Sequence, residues 1–599
     1  MQIEQGRAST TLNSHRSEME KRLRDRTLAV FTQFRLEGKL CDVVIKVDDV
    51  EFNAHRIILC SCSQYFSTLF TSAWATSTKQ MYTITGVSPE MMQLIINYAY
   101  THTVPVTEDN VVEVLAAGDQ FLVPGIVQAC CFFLEDQLCL RNCIGIWRLV
   151  DLYYCPELKH KVFLYILDHF EAIACVSQEL LELSVEQLAV IIENDHLNVK
   201  QENTVFEAVL HWINHLPDQR RGHMSVLLPK VRLGLMTTGY LKNVIINNAV
   251  VNSSSECIAI ITEAMTALRD FRDYGPSNSV YRNLLTRPRL PPAILLVIGG
   301  KYFNTFRTSL EAYDVRSDRW VTVNADIHRA HHGAAVLDRF VYLIGGSSRG
   351  TCLNTVQKFD LVTCTWHQVA SMNSRRSCVS VAVQNGCIFA MGGFSRRIYY
   401  NTVERYNPEE NQWTMMSPMR AKRCGAGAAT LNGKVYICGG FNGHRCLSTA
   451  EVFDPITNVW TQIFPMRSCR SSLGVAAYRG HIYAAGGTVD ETSHMSSVEA
   501  YNPQTNRWSP VMSMHSPRSY FGIEVVDDQL VVVGGYNGFS SMPAVERYSD
   551  DTRMWYSASN IKTAHCGLSC CVLRGLRNVV EKLFLRDPLT PPNADENQS

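Results

Sequence analysis

Glycine doublets recur at residues 299/300, 345/346, 392/393, 439/440, 486/487 and 534/535, at intervals of 46, 47, 47, 47 and 48. A period in that range is one supersecondary unit of four strands, repeated. Each doublet closes a short apolar run, as at Val341 to Gly346, where glycine accepts the positive φ that a sharp turn at a strand end needs. Seven residues separate an aromatic from a tryptophan in every copy: Tyr313/Trp320, Phe359/Trp366, Tyr406/Trp413, Phe453/Trp460, Tyr501/Trp508 and Tyr548/Trp555. In a single strand an odd separation puts the two rings on opposite faces, so a turn lies between them, and Asn407-Pro408, Asp454-Pro455 and Asn502-Pro503 have turn chemistry. The unit reads as a small-residue strand, the Gly-Gly strand, an aromatic strand and a tryptophan strand. Each ring has roughly 150–250 Å² to bury, so the tryptophans are read as structural.

The first copy lacks a small-residue strand, and after the last tryptophan His565 to Leu573 has that composition with no Gly-Gly strand behind it. Pairing the two closes the ring and removes both open edges. This pattern resembles the kelch repeat, which implies a six-bladed β-propeller whose loop face binds a protein segment. Arg329, Arg376, Arg423, Arg470 and Arg518 recur ahead of the small-residue strands, with Thr563 in the sixth place. Two readings stand: a ring of guanidinium forks for an acidic peptide, or braces between loops. Loop residues that vary from blade to blade are the other candidates for substrate contact: Tyr302, Phe303, Arg349, Arg396, Arg397, His444, Tyr520, Tyr536, Asn537 and Phe539. Kelch propellers include a copper oxidase. That enzyme needs a Tyr, Tyr, His and Cys set, no group of these departs from the repeat here, and His328, His331 and His332 share one loop without partners from a second blade, so no metal or cofactor is expected.

In the front half, Val43, Ile45 and Val47 alternate, turn at Asp48-Asp49 and re-enter through Phe52, a hairpin pattern. Apolar spacing then becomes helical through Ile57, Ile58, Tyr65, Phe66, Leu69 and Phe70. Asp42, the Ala54-His55-Arg56 triplet and the run Tyr65 to Phe70 resemble a BTB/POZ domain over residues 20–130. Ahead of it Leu23, Thr27, Val30, Phe31 and Phe34 form one stripe of a helix that Gly38 can end. The resemblance implies that a second copy of the chain covers Leu23, Val30, Phe31 and Phe34, giving a homodimer. From 131 to 275 the spacing is that of amphipathic helices, clearest at Val205, Phe206, Val209, Trp212 and Ile213, and resembles the BACK domain. A linker is expected over 276–292, the propeller over 293–575, and a polar, disordered tail over 576–599.

BTB, BACK and kelch modules in this order identify the chain as a member of the Kelch-like family, a multidomain α+β architecture. The resemblance implies a non-catalytic substrate adaptor of a cullin-3 RING ubiquitin ligase. Cullin contact would then come from Phe70, Trp74, Thr76, Phe132, Phe133, Leu134 and Leu138. Family members carry a hydrophobic-x-Glu motif where this chain has Trp74-Ala75-Thr76. The missing carboxylate removes a hydrogen bond worth about 1.5–3 kcal/mol, and the groove near Phe132 is expected to compensate. The alternative is a non-degradative dimeric scaffold associated with actin. The finer likeness within the family carries an expectation of a role in spermatogenesis.

Composition agrees. Lys plus Arg (56) equals Asp plus Glu (56), so no net field attracts nucleic acid or an anionic membrane. No apolar run approaches the ~20 residues of a membrane span. The 21 cysteines fall in no CxxC…CxxC or finger-like pattern and read as free thiols in a reducing, cytoplasmic setting.

Overall fold

Val43, Ile45 and Val47 are buried on one face of strand β1 (Val43–Val47), which pairs antiparallel with β2 (Val50–Ala54) across the Asp48-Asp49 turn. A third strand, β3 (Met81–Thr83), lies parallel on the other side of β1. The computed structural model describes residues 26–71, 80–274, 284–302, 305–490 and 492–584, with Met19 and Leu23. Between Arg287 and Pro288 the chain divides into two compact units.

In the first unit, helix α1 (26–36) ends just before Gly38, whose φ of 65° reverses the chain. Helices α2 (Arg56–Cys62), α3 (Gln64–Thr71), α4 (Pro89–Thr101) and α5 (Val111–Gln120) cover the small sheet. Asp42 accepts the Arg56 backbone N–H at 2.8 Å, and His55 Nδ1 lies 2.6 Å from the Tyr100 hydroxyl. The Asp and His of the sequence signature are therefore joints of this unit. Helices α6 (Pro124–Asp136), α7 (Cys143–Leu152) and α8 (Pro156–Asp168) follow. Proline opens α4, α6 and α8, at the position where its missing N–H costs nothing. Further helices carry the run on to helix Ser255–Tyr274. Among them, Glu202–His215 buries Val205, Phe206, Val209, Trp212 and Ile213, the stripe read from the sequence.

The expected linker, 276–292, is only partly a linker. Its residues 276–283 lie outside the described residues, but 284–292 are packed. The Leu284 carbonyl accepts from Arg232, Arg287 pairs with Asp195, Leu285 is buried in the first unit and Leu290 in the second. Apolar residues spaced among the prolines account for this.

The second unit contains six four-stranded antiparallel sheets. Blades two to six each run in sequence order. Blade one combines Ala293–Ile298, Ser309–Asp314 and Arg319–Asn324 with Ser569–Arg574, in register from Ser569 opposite Ile298 to Arg574 opposite Ala293. The ring is closed by the strand the sequence assigned to that place. Within each blade aromatic and tryptophan sit directly opposite across their hairpin, as Tyr406 opposite Trp413. Each of these six tryptophans also donates its Nε1–H to a backbone carbonyl leaving the preceding blade, at 2.5–2.9 Å, and Trp320 closes the circuit on Ser559. One residue type thus both fills the seam and ties neighbouring sheets.

The polar tail expected from 576 begins instead with helix Arg577–Phe584. It buries Val579, Val580 and Phe584 beside Ile294, Val341 and Phe359, and its Lys582 donates to the Val362 carbonyl. Three apolar residues on one face of two helical turns are a short signal amid polar neighbours. Residues 585–599 lie outside the described residues.

Candidate functional site

Two surfaces have the features of docking sites, one in each unit. On the propeller, six residues, one per blade, have left-handed backbone conformations: His331, Cys378, Gly425, Ser472, Tyr520 and Gly567, with φ between 50° and 66°. Their backbones form a closed circuit. His331 donates to Gly567, Cys378 to His331, Gly425 to Cys378, Ser472 to Gly425, Tyr520 to Ser472 and Gly567 to Tyr520, all at 2.7–3.0 Å. A left-handed residue other than glycine costs about 1–2 kcal/mol. Side chains are nevertheless kept at four of the six positions, and strain retained in this way marks functional sites. Above the circuit opens a cavity of about 1190 Å³. Phe394, Tyr399 and Phe441 form its apolar wall, with ring centroids 5.9 and 5.6 Å apart. Lys301, Arg445, His331 and His444 line it, against a single described carboxylate, Asp490.

The five repeating arginines do not face this cavity. They are buried, and each braces its own blade. Arg423 donates from Nη1 to the Gly439 and Thr449 carbonyls at 2.7 and 2.8 Å, and from Nη2 to Thr449 Oγ1 and Glu451 Oε1 at 2.9 and 2.8 Å. Arg376 repeats this with Gly392, Thr402 and Glu404, Arg470 with Gly486, Ser497 and Glu499, and Arg518 with Gly534, Ala544 and Glu546. Arg329 uses Gly345, Thr355 and Gln357. With both terminal nitrogens of every arginine taken up inside the fold, the acidic-peptide reading of this ring is corrected to bracing. A signal for it was present: Glu404, Glu451, Glu499 and Glu546 recur with the same period as the arginines.

The non-repeating candidates are placed differently. Tyr302, Arg349, Arg396, Arg397, His444, Tyr520 and Phe539 are exposed, Tyr536 and Asn537 are half-buried, and Phe303 lies outside the described residues. Tyr520 and His444 line the cavity directly. Asn537 is taken up by its own loop, its Oδ1 accepting from the Phe539 and Ser540 backbones. Sequence reasoning missed Cys378, Ser472 and the wall of Phe394, Tyr399 and Phe441. Burial lowers His331 to about 4 and His332 to about 3, so both are neutral.

In the first unit, a groove of about 630 Å³ lies between α6 and the α7–α8 connection, lined by Leu122, Val127, Phe132, Tyr153, Tyr154 and Leu158 among others. A second hollow of about 520 Å³, with Trp147, Phe163 and Val190, shares Tyr154 with it. Tyr154 is 86% exposed and Phe132 62%, which for large apolar rings is unusual. Leu122 and Tyr154, both exposed, each have φ of 49°. Both are the left-handed residues that close helix ends, with the Val123 N–H donating to the Gly118 carbonyl and the Cys155 N–H to the Val150 carbonyl, and each leaves an apolar side chain exposed at the groove rim.

Comparison with known proteins adds three matches in order along the chain. The model for the BTB/POZ domain matches residues 31–138, that for BTB And C-terminal Kelch residues 143–246, and that for the Attractin/LZTR1 beta-propeller residues 295–545. Kelch-like protein 28 of Homo sapiens is 33% identical over 364 residues, 59% of this chain and 63% of that protein. Kelch-like protein 3 of Bos taurus is 35% identical over 321 residues, 53% of this chain and 54% of that protein. Kelch-like protein 2 of Homo sapiens is 35% identical over 318 residues, 53% of each. The chain belongs to the BTB-BACK-kelch family. The matches span between about half and 63% of the length of these relatives.

Within the BTB-BACK unit the expected partner residues separate. Phe132 lies on the groove, but Phe133 and Leu138 are half-buried against the core and Leu134 and Phe70 are core. Phe70 stacks on Phe66 and meets Tyr82 edge to face. Consecutive residues of a helix point about 100° apart, so Phe132, Phe133 and Leu134 cannot all face one groove. Trp74 and Thr76 lie outside the described residues. Leu122, Leu152 and Tyr154, all exposed, were missed because they sit in connections or at a helix end, where periodicity carries no signal. In the BTB module's leading helix, Arg35 donates to Asn97 and lies over the Tyr100 ring, fixing α1 to α4. Phe34 is half-buried, while Val30, Phe31 and the described Leu23 are exposed.

Proposed function

We propose that the chain is the substrate-recognition subunit of a cullin-3 RING ubiquitin ligase, acting in the cytoplasm as a homodimer. The propeller mouth takes the client, and the BTB-BACK groove takes a segment of the cullin. The observation that carries this reading is the presence in one BTB-BACK-kelch chain of two built surfaces. One is an apolar groove rimmed by exposed Leu122 and Tyr154, and the other a cavity whose lining includes residues that depart from the repeat. Ubiquitin transfer then needs no chemistry from this chain, because holding a client lysine near a charged conjugating enzyme supplies the acceleration that proximity gives. Exposed Val30 and Phe31 support a second copy seated on α1. All 21 cysteines are free, as suits a reducing compartment.

The mouth also supports a client chemistry. An apolar anchor fits the Phe394, Tyr399 and Phe441 wall, and acidic flanks fit the exposed Arg349, Arg396, Arg397 and Arg445 around it.

The test is recovery of cullin-3 with the full-length protein. Wild type should retain it, and Phe132→Ala combined with Tyr154→Ser should reduce recovery at least tenfold without changing the melting temperature. Failure of wild type to recover cullin-3, with cosedimentation on actin filaments instead, would replace the adaptor by the scaffold.

A further inference from the structure

Two cysteines meet in the floor of the BTB-BACK groove. Cys131, on α6, is half-buried, Cys155 immediately precedes α8, and both line the same hollow. The two thiols are electrostatic neighbours, and the Cys155 thiol donates to the Tyr153 carbonyl at 3.6 Å. The two elements are clamped alongside by Lys161 on α8, whose Nζ donates to Glu135 on α6 at 2.7 and 2.8 Å. The sequence neighbours of the pair are Phe132 and Tyr154, the most exposed rings of the groove. Each sulfur therefore shares its backbone segment with one of the rings.

We propose that Cys131 and Cys155 are a redox pair that a peroxide converts to a disulfide, closing the groove against its partner. One thiolate attacks a peroxide oxygen and the O–O bond breaks. The released hydroxide takes up that thiol's proton as water and leaves a sulfenic acid. The second sulfur attacks the first, the S–S bond forms, the S–O bond breaks, and the departing hydroxide leaves with the second thiol's proton as water. Two thiols and one hydrogen peroxide thus give one disulfide and two waters. Bond formation draws the sulfurs to about 2.05 Å, pulling α6 toward the α7–α8 connection and narrowing the groove between them. Burial, and then the neighbouring Cys155 thiol, push Cys131 up to about 12. The thiolate is the reactive form, so the cross-link forms slowly at neutral pH and faster as the pH rises.

That the groove takes a cullin rests on the function proposed above, whereas the cross-link is read without it. Full-length protein treated with hydrogen peroxide, alkylated and digested without reductant should yield a Cys131–Cys155 linked peptide that dithiothreitol abolishes. Cys131→Ser and Cys155→Ser should each remove it, and Cys130→Ser should leave it. Recovery of both residues as alkylated thiols, or of Cys131 linked elsewhere, overturns the pair. The oxidised protein should bind an N-terminal cullin-3 fragment at least fivefold more weakly than the reduced one, with Cys131→Ser insensitive to peroxide. Unchanged binding by a cross-linked protein overturns closure of the groove. If the reduced protein does not bind the fragment, the adaptor reading fails while the linked peptide still decides the pair.

Discussion

Arg396 and Arg397 occupy both central positions of a two-residue hairpin turn between Phe394–Ser395 and Ile398–Tyr399, with φ of 48° and 67°. That turn favours Asn-Gly. Replacing the pair, Arg396→Asn with Arg397→Gly, should raise propeller stability by about 1 kcal/mol, as relief of such strain commonly does, while weakening client capture. Thermal unfolding and affinity purification would move in opposite directions. Arg423 should behave in the reverse manner. Its alanine variant leaves the Glu451 carboxylate buried without its guanidinium, a loss of about 3–5 kcal/mol, seen as a lower urea midpoint. Buried histidines add a pH dependence. His331 and His565 are held near 4 and His332 near 3 by burial, against about 6.5 when unfolded. Their contribution is fully present above pH about 6.5 and is lost as the pH falls toward 4 and below, because only the unfolded state takes up the protons. Glu524, raised by burial from 4.5 to about 7, acts with the opposite sign between those values. The urea midpoint of His332→Phe should therefore fall less, or rise more, than that of wild type between pH 7.5 and 5.

At the level of elements, the helix Arg577–Phe584 covers an apolar seam on blades one and two. Phe584→Ala should cost about 3 kcal/mol, measurable by thermal unfolding of the full chain. The blades themselves were legible because each solves the same burial problem with the same residues. The Gly-Gly doublets, the aromatic and tryptophan pair and the closing strand all declare their neighbours through spacing. Spacing gives position but not direction, and for that reason Arg376 and its four counterparts were open to two readings until their partners were seen. The mouth was legible only where it broke the pattern, at Arg396 or Tyr520. Phe394 and Phe441 follow a doublet like any other residue of the repeat, and nothing local says that the fold gathers them with Tyr399. The groove in the first unit is built largely by connections, whose left-handed Leu122 and Tyr154 leave no trace in hydrophobic periodicity.

For the whole molecule, α1 presents Val30 and Phe31 outward. Phe31→Glu with Val30→Asp should convert a dimer to a monomer in sedimentation equilibrium, leave the melting of the propeller unchanged, and lower avidity for a client with two sites by 10²-fold or more. The ring closure has a further consequence, for synthesis. Ser569–Arg574 pairs with Ala293–Ile298, so the first Gly-Gly strand leaves the ribosome well before its inner neighbour, which lines the central channel, has been translated. Until then blade one offers a bare strand edge, a template for wrong pairing. A premature stop a few codons before residue 569 would make that exposure permanent, so a lesion at the far end of the reading frame would surface as misfolding at the start of the wheel.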